Sequence, residues 1–327
     1  MDAPRRFSEI DVLKTVGILT VVLIHSLRNP WDPRISSAEM WLQVVTRFAV
    51  PGFLLCSGFL YATTSPVSGR VTLQRVRRVV LPYLVASFAA QLWWAATGPA
   101  HDLRTAATEI ALASSFGPYY YVFVHFCLVL ATPLFAVAPR LVLAVLAAAL
   151  VVSQAFFEAR MELVFPFFWH IRNPLLWWAY FLIGWLLRLH YAAVRSFVVE
   201  HRAKLAVGLA LAWLAFSWLG GGQPQTSLVR GAIWADIYAT LGLLFVAACG
   251  RERVPGWMRS LSDATFAIYL LHLFFVYGAE KVVQAGSGAF APAVIGLYWG
   301  AGVAGSLALI WLARRTLGPR SRDVVGA

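Results

Sequence analysis

The stretch Ile10 to Leu27, IDVLKTVGILTVVLIHSL, is long enough to cross a bilayer, yet it carries Asp11, Lys14 and His25. An ionisable side chain inside a membrane helix costs a few kcal/mol or more, so such residues face the protein interior, pair with one another and mark function. Asp11 and Lys14 are three residues apart and can meet on one helix face. Lys14 and His25 are eleven apart, about three helical turns, so both point the same way with roughly 16 Å between them along the axis. His25 offers the chemistry: an imidazole with an ordinary pKa of about 6.5 can take a proton from a hydroxyl and return it. The plainer alternative is an interhelical hydrogen bond.

Three further groups stand out. In RVTLQRVRR, Arg70 to Arg78, the guanidinium groups of Arg75 and Arg78 share a face if a helix has begun, and such groups grip phosphates with paired N–H donors. The pair therefore suits a phosphorylated cytosolic ligand, against the competing reading of ordinary positive charge or lipid headgroup contact at the inner face. In VPGFLLCSGFL, Val50 to Leu60, Pro and Gly free backbone groups and permit close helix approach. Ser57 is there a candidate cavity wall, and with no G-x-S-x-G elbow around it a weak nucleophile. In SDATFAIYLLH, Ser262 to His272, Ser262 or Asp263 is the expected N-cap of a helix on which Tyr269 and His272 share a face. His272 is a second titratable group in mid-membrane, structural or catalytic. His125, Arg47 and Asp236 are further polar residues in apolar runs, the last two expected near the outer ends of their spans and partly solvated.

The elements that must position these groups are membrane helices. Of 327 residues 60% are hydrophobic and only 13% charged, with 14 Trp and a mean hydropathy of +0.70, far from the balance of a soluble domain. Apolar runs predict ten spans, at approximately 10–27, 41–62, 78–97, 118–137, 140–157, 174–190, 204–220, 228–249, 264–283 and 290–313. With the N-terminus inside, eighteen Lys and Arg fall in inside segments and seven outside, so both termini are expected to be cytoplasmic. The formal charge of +12 then reflects orientation and not nucleic-acid binding. The N-terminal run lacks an A-x-A-like cleavage site, which argues against a cleaved signal. Cys56, Cys127 and Cys249 lie in apolar runs without C-x-x-C spacing, against a disulfide scaffold or a metal site. An all-α polytopic bundle, one membrane domain over 1–327 with no additional soluble domain, accounts for the chain. Among the longer outer segments, Glu158 to Asn173 holds Pro166, Trp169 and His170, as a site mouth or as interfacial anchors.

Taken in order, these landmarks resemble the acyltransferase 3 family of bacterial membrane O-acyltransferases: Lys14 and His25 in the first span, VPGFLLCSGFL in the second, and Arg75-x-x-Arg78 followed by Leu81-Pro82-Tyr83 in the third. Trp178-Ala179-Tyr180-Phe181-Leu182-Ile183-Gly184 and Tyr269-Leu270-Leu271-His272 complete the series. The resemblance implies a ten-helix enzyme of the bacterial cytoplasmic membrane. Such an enzyme takes an acyl group, commonly acetyl, from cytosolic acyl-CoA and esterifies a glycan or other hydroxyl-bearing acceptor. It implies His25 as the catalytic residue, Lys14 in support, Arg75 and Arg78 on the CoA phosphates, and acetyl-CoA as co-substrate with no tightly bound cofactor. Lys14 stands where the family usually has Arg, so a point charge replaces a bidentate fork.

The expected reaction is O-acetylation of a saccharide, with His25 acting directly as base or being acylated transiently. Asp11 completes the catalytic group, while Ser57, Tyr83, Tyr269 and His272 line the cavity; acyl length is open, since a cavity formed around Phe53, Phe59 and Tyr83 could accept more than acetyl. The alternative class is a transporter or flippase of a glycan-linked or acylated lipid that makes no bond. Secondary transporters often carry internal repeats, and none is visible between the halves of this chain.

Overall fold

The computed structural model describes residues 6–28, 32, 35–98, 102–159, 169, 171–221, 227–283 and 291–327. The sequence readings placed on Arg5, Arg34, Arg160, Pro166 and His170 lie outside these. Among the described residues there is no strand. The helices are α1 (Ser8–Ser26), α2 (Ser37–Val45), α3 (Ala49–Tyr61), α4 (Gly69–Thr97), α5 (Leu103–Ala111), α6 (Tyr120–Val137) and α7 (Arg140–Ala159). They continue with α8 (Pro174–Leu189), α9 (Tyr191–Glu200), α10 (Arg202–Gly221), α11 (Ser227–Ala248), α12 (Gly256–Val283), α13 (Pro292–Leu317) and α14 (Ser321–Val324).

Seven of these units are long and apolar enough to cross a membrane, with α2–α3 and α13–α14 each taken as one, and an eighth if α8 and α9, bent by 88° at their junction, form one span. The chain is an all-α integral membrane protein. Glu9, Asp11 and Lys14 put α1 outside that measure, and α7 is a further apolar helix. The bundle resolves the conflict in α1 by enclosing it: α1 packs against α3, α11, α12 and α13, so its ionisable groups meet protein instead of lipid.

Several boundaries move from their sequence-based positions, each for a local reason. The second span breaks between α2 and α3, because Pro51 lacks an N–H and its ring would clash with the Arg47 carbonyl of a continuous helix; in the first turn of a new helix neither matters. Helix α4 begins at Gly69 and not at 78, capped by the Ser68 hydroxyl, which accepts from the Val71 N–H. Arg75 and Arg78 therefore do lie on a helix. Helix α12 begins just after Pro255 and not at 264, so Ser262 and Asp263 sit within it and are not its N-cap. Their polar groups turn to the start of α1.

Two of the landmark stretches are each other's packing partners. A Cβ on Gly58 would lie 1.9 Å from the Phe181 carbonyl oxygen, and one on Gly184 would lie 2.0 Å from that of Leu55. Helices α3 and α8 thus touch backbone to backbone, the close approach that small residues permit where apolar side chains gain little from leaving lipid. Gly58→Ala or Gly184→Ala must push the helices apart, and each is expected to destabilise the detergent-solubilised protein by about 3 kcal/mol or more. Gly208→Ala, on α10 with nothing within 4 Å of the added carbon, should leave thermal unfolding unchanged or raise its midpoint.

Candidate active site

At the end of the bundle where α1 starts, a polar clasp joins α1 to α12. Asp11 accepts hydrogen bonds from Arg6 Nη2 at 3.0 Å, Arg6 Nε at 3.2 Å and the Ser262 hydroxyl at 2.7 Å. Arg6 Nη2 also reaches Asp263 at 2.9 Å. The Asp11 hydrogen bonds, and then that to Asp263, hold the Arg6 pKa above its ordinary value. Thr15 extends the seam by donating to the Met258 carbonyl at 2.8 Å. The expected meeting of Asp11 with Lys14 is thus replaced by one with Arg6, which approaches from before the helix, where the chain is free to fold back. Lys14 is half-buried and, among the described residues, makes no hydrogen bond or ion pair.

Toward the far end of α1, His25 lies against His272 of α12, ring centroids 5.3 Å apart and tilted by 38°. His272 Nδ1 lies 2.8 Å from the Tyr269 carbonyl and 3.1 Å from that of Ile268. Both partners are acceptors, so Nδ1 carries the proton and Nε2 holds the lone pair. That Nε2 is buried without a hydrogen-bond partner. His25 is half-buried, and among the described residues it makes no hydrogen bond. The two imidazoles are neighbours whose reactive nitrogens are uncommitted.

A file of side chains links this pair to the arginines of α4. Tyr269 lies 6.2 Å from His272 and 5.2 Å from Tyr121 of α6. Tyr121 stacks on His125 at 5.5 Å, and His125 lies 5.9 Å from Tyr61 at the end of α3. The guanidinium of Arg75 sits 4.8 Å above the Tyr61 ring, and its Nη1 donates to the Thr132 hydroxyl at 3.3 Å. Ser57 stands beside the Tyr121 hydroxyl. Helices α1, α3, α4, α6 and α12 each contribute to this one seam.

The other expected site residues fall less centrally. Arg78 is exposed one turn from Arg75. Tyr83 is buried, donates to the Ile110 carbonyl, and is linked to Tyr269 by way of Tyr119, at 5.8 and 6.3 Å. Phe53, Phe59 and Tyr83 pack on different neighbours: Phe53 on Tyr121, Phe59 on Phe7 and Tyr191, and Tyr83 on Tyr119. Asp236, expected to be partly solvated, is fully buried and accepts from Ser217 at 2.6 Å. Among the described residues no three His, Cys, Asp or Glu side chains converge as a metal site would require. Tyr61 and Tyr121 were not singled out by sequence; the available signal was the i, i+4 spacing of Tyr121 and His125 on a helix that also needs no polar side chain for its span.

A family model described as an acyltransferase domain, acyltransferase 3, matches residues 7–315. The chain belongs to the acyltransferase 3 family. It is therefore a membrane acyltransferase, and the matched region takes in every helix from α1 to all but the end of α13. No curated protein and no solved structure matches it.

In this acyltransferase the clasp fixes α1 against α12 at one end, and the two histidines meet at the other. Asp11→Asn should lower stability by about 1–3 kcal/mol, since the Arg6 and Ser262 donors lose a charged, buried partner. Arg6→Gln should cost less, because that guanidinium is 44% exposed. The two losses should be less than additive in a double-mutant cycle read by thermal unfolding.

Proposed function

We propose that the protein takes an acyl group, acetyl foremost, from cytosolic acyl-CoA and transfers it to a hydroxyl of a saccharide or cell-envelope glycan. In this reading the chain crosses the bacterial cytoplasmic membrane ten times, with both termini and the Arg6 clasp on the cytosolic side. The observation that carries the reading is the continuous file from the Arg75 guanidinium to the His25–His272 pair. It joins a basic surface suited to phosphates with imidazoles suited to proton transfer, and the family supplies acyl transfer as the reaction class.

Each group then has a task. Arg75 and Arg78 take the phosphates of the donor, and stacking on Tyr61 holds the Arg75 plane in place. The slender pantetheine arm follows the aromatic file inward, past Ser57 and Tyr121. Lys14, which makes no hydrogen bond or ion pair among the described residues, is placed within the bundle to support the donor or His25. At the far end His25 removes the proton of the acceptor hydroxyl as its oxygen attacks the thioester carbonyl carbon. The C–O bond forms, the tetrahedral intermediate collapses with cleavage of the C–S bond, and the CoA thiolate receives the proton from His25. His272, its Nδ1 proton fixed by backbone carbonyls, keeps Nε2 as an acceptor that can steady a His25 N–H or the attacking hydroxyl.

Purified protein given acetyl-CoA and an envelope glycan fraction should release CoA. His25→Ala should reduce that rate by roughly 10²–10⁴-fold without loss of folded protein. Retention of full glycan-dependent release by the folded variant would remove His25 from the chemistry. Arg75→Gln and Arg78→Gln should each weaken donor binding by about 1–3 kcal/mol, and by less at high salt. Unchanged affinity in a folded double variant would return both to ordinary inner-face charge.

A further inference from the structure

The elbow where α8 meets α9 holds a second pair of arginines that the acyl-transfer reading does not use. The 88° turn at His190 takes the chain from a spanning direction to one across it, at the same end of the bundle as the Arg6 clasp. In the crook lies a cavity of about 370 Å³ lined by Arg188, Leu189, Tyr191, Ala192 and Arg195. Its walls are held rigidly. The Arg188 guanidinium sits 4.8 Å above the Phe7 ring and 5.6 Å from that of Phe59. The buried Tyr191 hydroxyl donates to Glu9 at 3.1 Å, tying α9 to the start of α1.

The arginine donors are not consumed by the fold. Among the described residues neither Arg188 nor Arg195 donates a side-chain hydrogen bond or makes an ion pair. Stacking engages only the face of the Arg188 guanidinium and leaves its N–H edge available. Two guanidinium groups with unspent donors on one preformed cavity match the charge and the donor geometry of a phosphate. On α9, Val199 is 47% exposed one turn beyond Arg195.

We infer that the Arg188–Arg195 elbow binds a phosphate group at the Arg6 end of the bundle, carried by an anionic phospholipid headgroup or by a phosphorylated soluble ligand such as CoA. The site is distinct from Arg75 and Arg78, which lie beside Tyr61 on a neighbouring part of the α3 end. It stands whether or not the acyl-CoA reading does, because the lipid arm of its test needs no donor.

The test uses the full chain in nanodiscs of phosphatidylcholine with and without phosphatidylglycerol. Retained phosphatidylglycerol is read by native mass spectrometry, and affinities for CoA and 3′-dephospho-CoA are read in phosphatidylcholine alone. Arg195→Gln, at an exposed position of α9, and Arg188→Lys combined with Arg195→Lys, which keeps charge and loses the fork, are compared with wild type. A roughly tenfold loss of phosphatidylglycerol retention in Arg195→Gln, only partly restored by the lysines, supports the site with lipid as the phosphate source. A comparable loss of CoA affinity with lipid retention intact supports it with the soluble ligand as the source. If folded Arg195→Gln changes neither, the inference is overturned.

Discussion

Two carboxylates, an ammonium and an imidazole on one largely apolar helix can enter a bilayer only if other helices surround them. That constraint shapes this protein. Helix α1 is packed by α3, α11, α12 and α13, and its Asp11 carboxylate is satisfied by Arg6 and Ser262 at the end where the helix starts. The clasp sets the register of α1 against α12. Along that same contact His25 then meets His272. The charged clasp at one end and the histidine pair at the other are two consequences of one helix pairing.

The second constraint is backbone proximity. Helices α3 and α8 approach through Gly58 and Gly184 closely enough that no Cβ fits, and this holds the end of α3 in place. Phe59 and Tyr61 there lie beneath Arg188 and Arg75 respectively. The α3 terminus therefore positions both basic groups, and a cation over an aromatic face is a way to keep an arginine ordered while its donor edge stays free.

Much of this was legible in the sequence, because membrane spans are written as long apolar runs and an ionisable residue within one is conspicuous. The Lys14 to His25 spacing, the Arg75–Arg78 helix face, and the Tyr269–His272 pair all survive in the structure. What one sequence could not give was partnership between distant segments. Ser262 and Asp263 read as a helix start because polar residues preceded an apolar run; in fact they face Arg6 and Asp11, more than 250 positions away. Gly58 and Gly184 lie in separate motifs of the sequence, and the elbow at His190 carries no Pro or Gly signal. Tyr61, Tyr121 and His125 look like ordinary aromatic lining until two helices bring them into one file.

The central claim is that a donor entering at the Arg75 end yields its acyl group near His25, toward the opposite face. Proteoliposomes with the protein in one orientation test it most directly, with acetyl-labelled acetyl-CoA on the Arg75 side and the glycan acceptor on the other. The account predicts labelled acceptor on the far side and one CoA released on the donor side for each acetyl transferred. Label crossing without CoA release, or transfer only when donor and acceptor share one side, would contradict it.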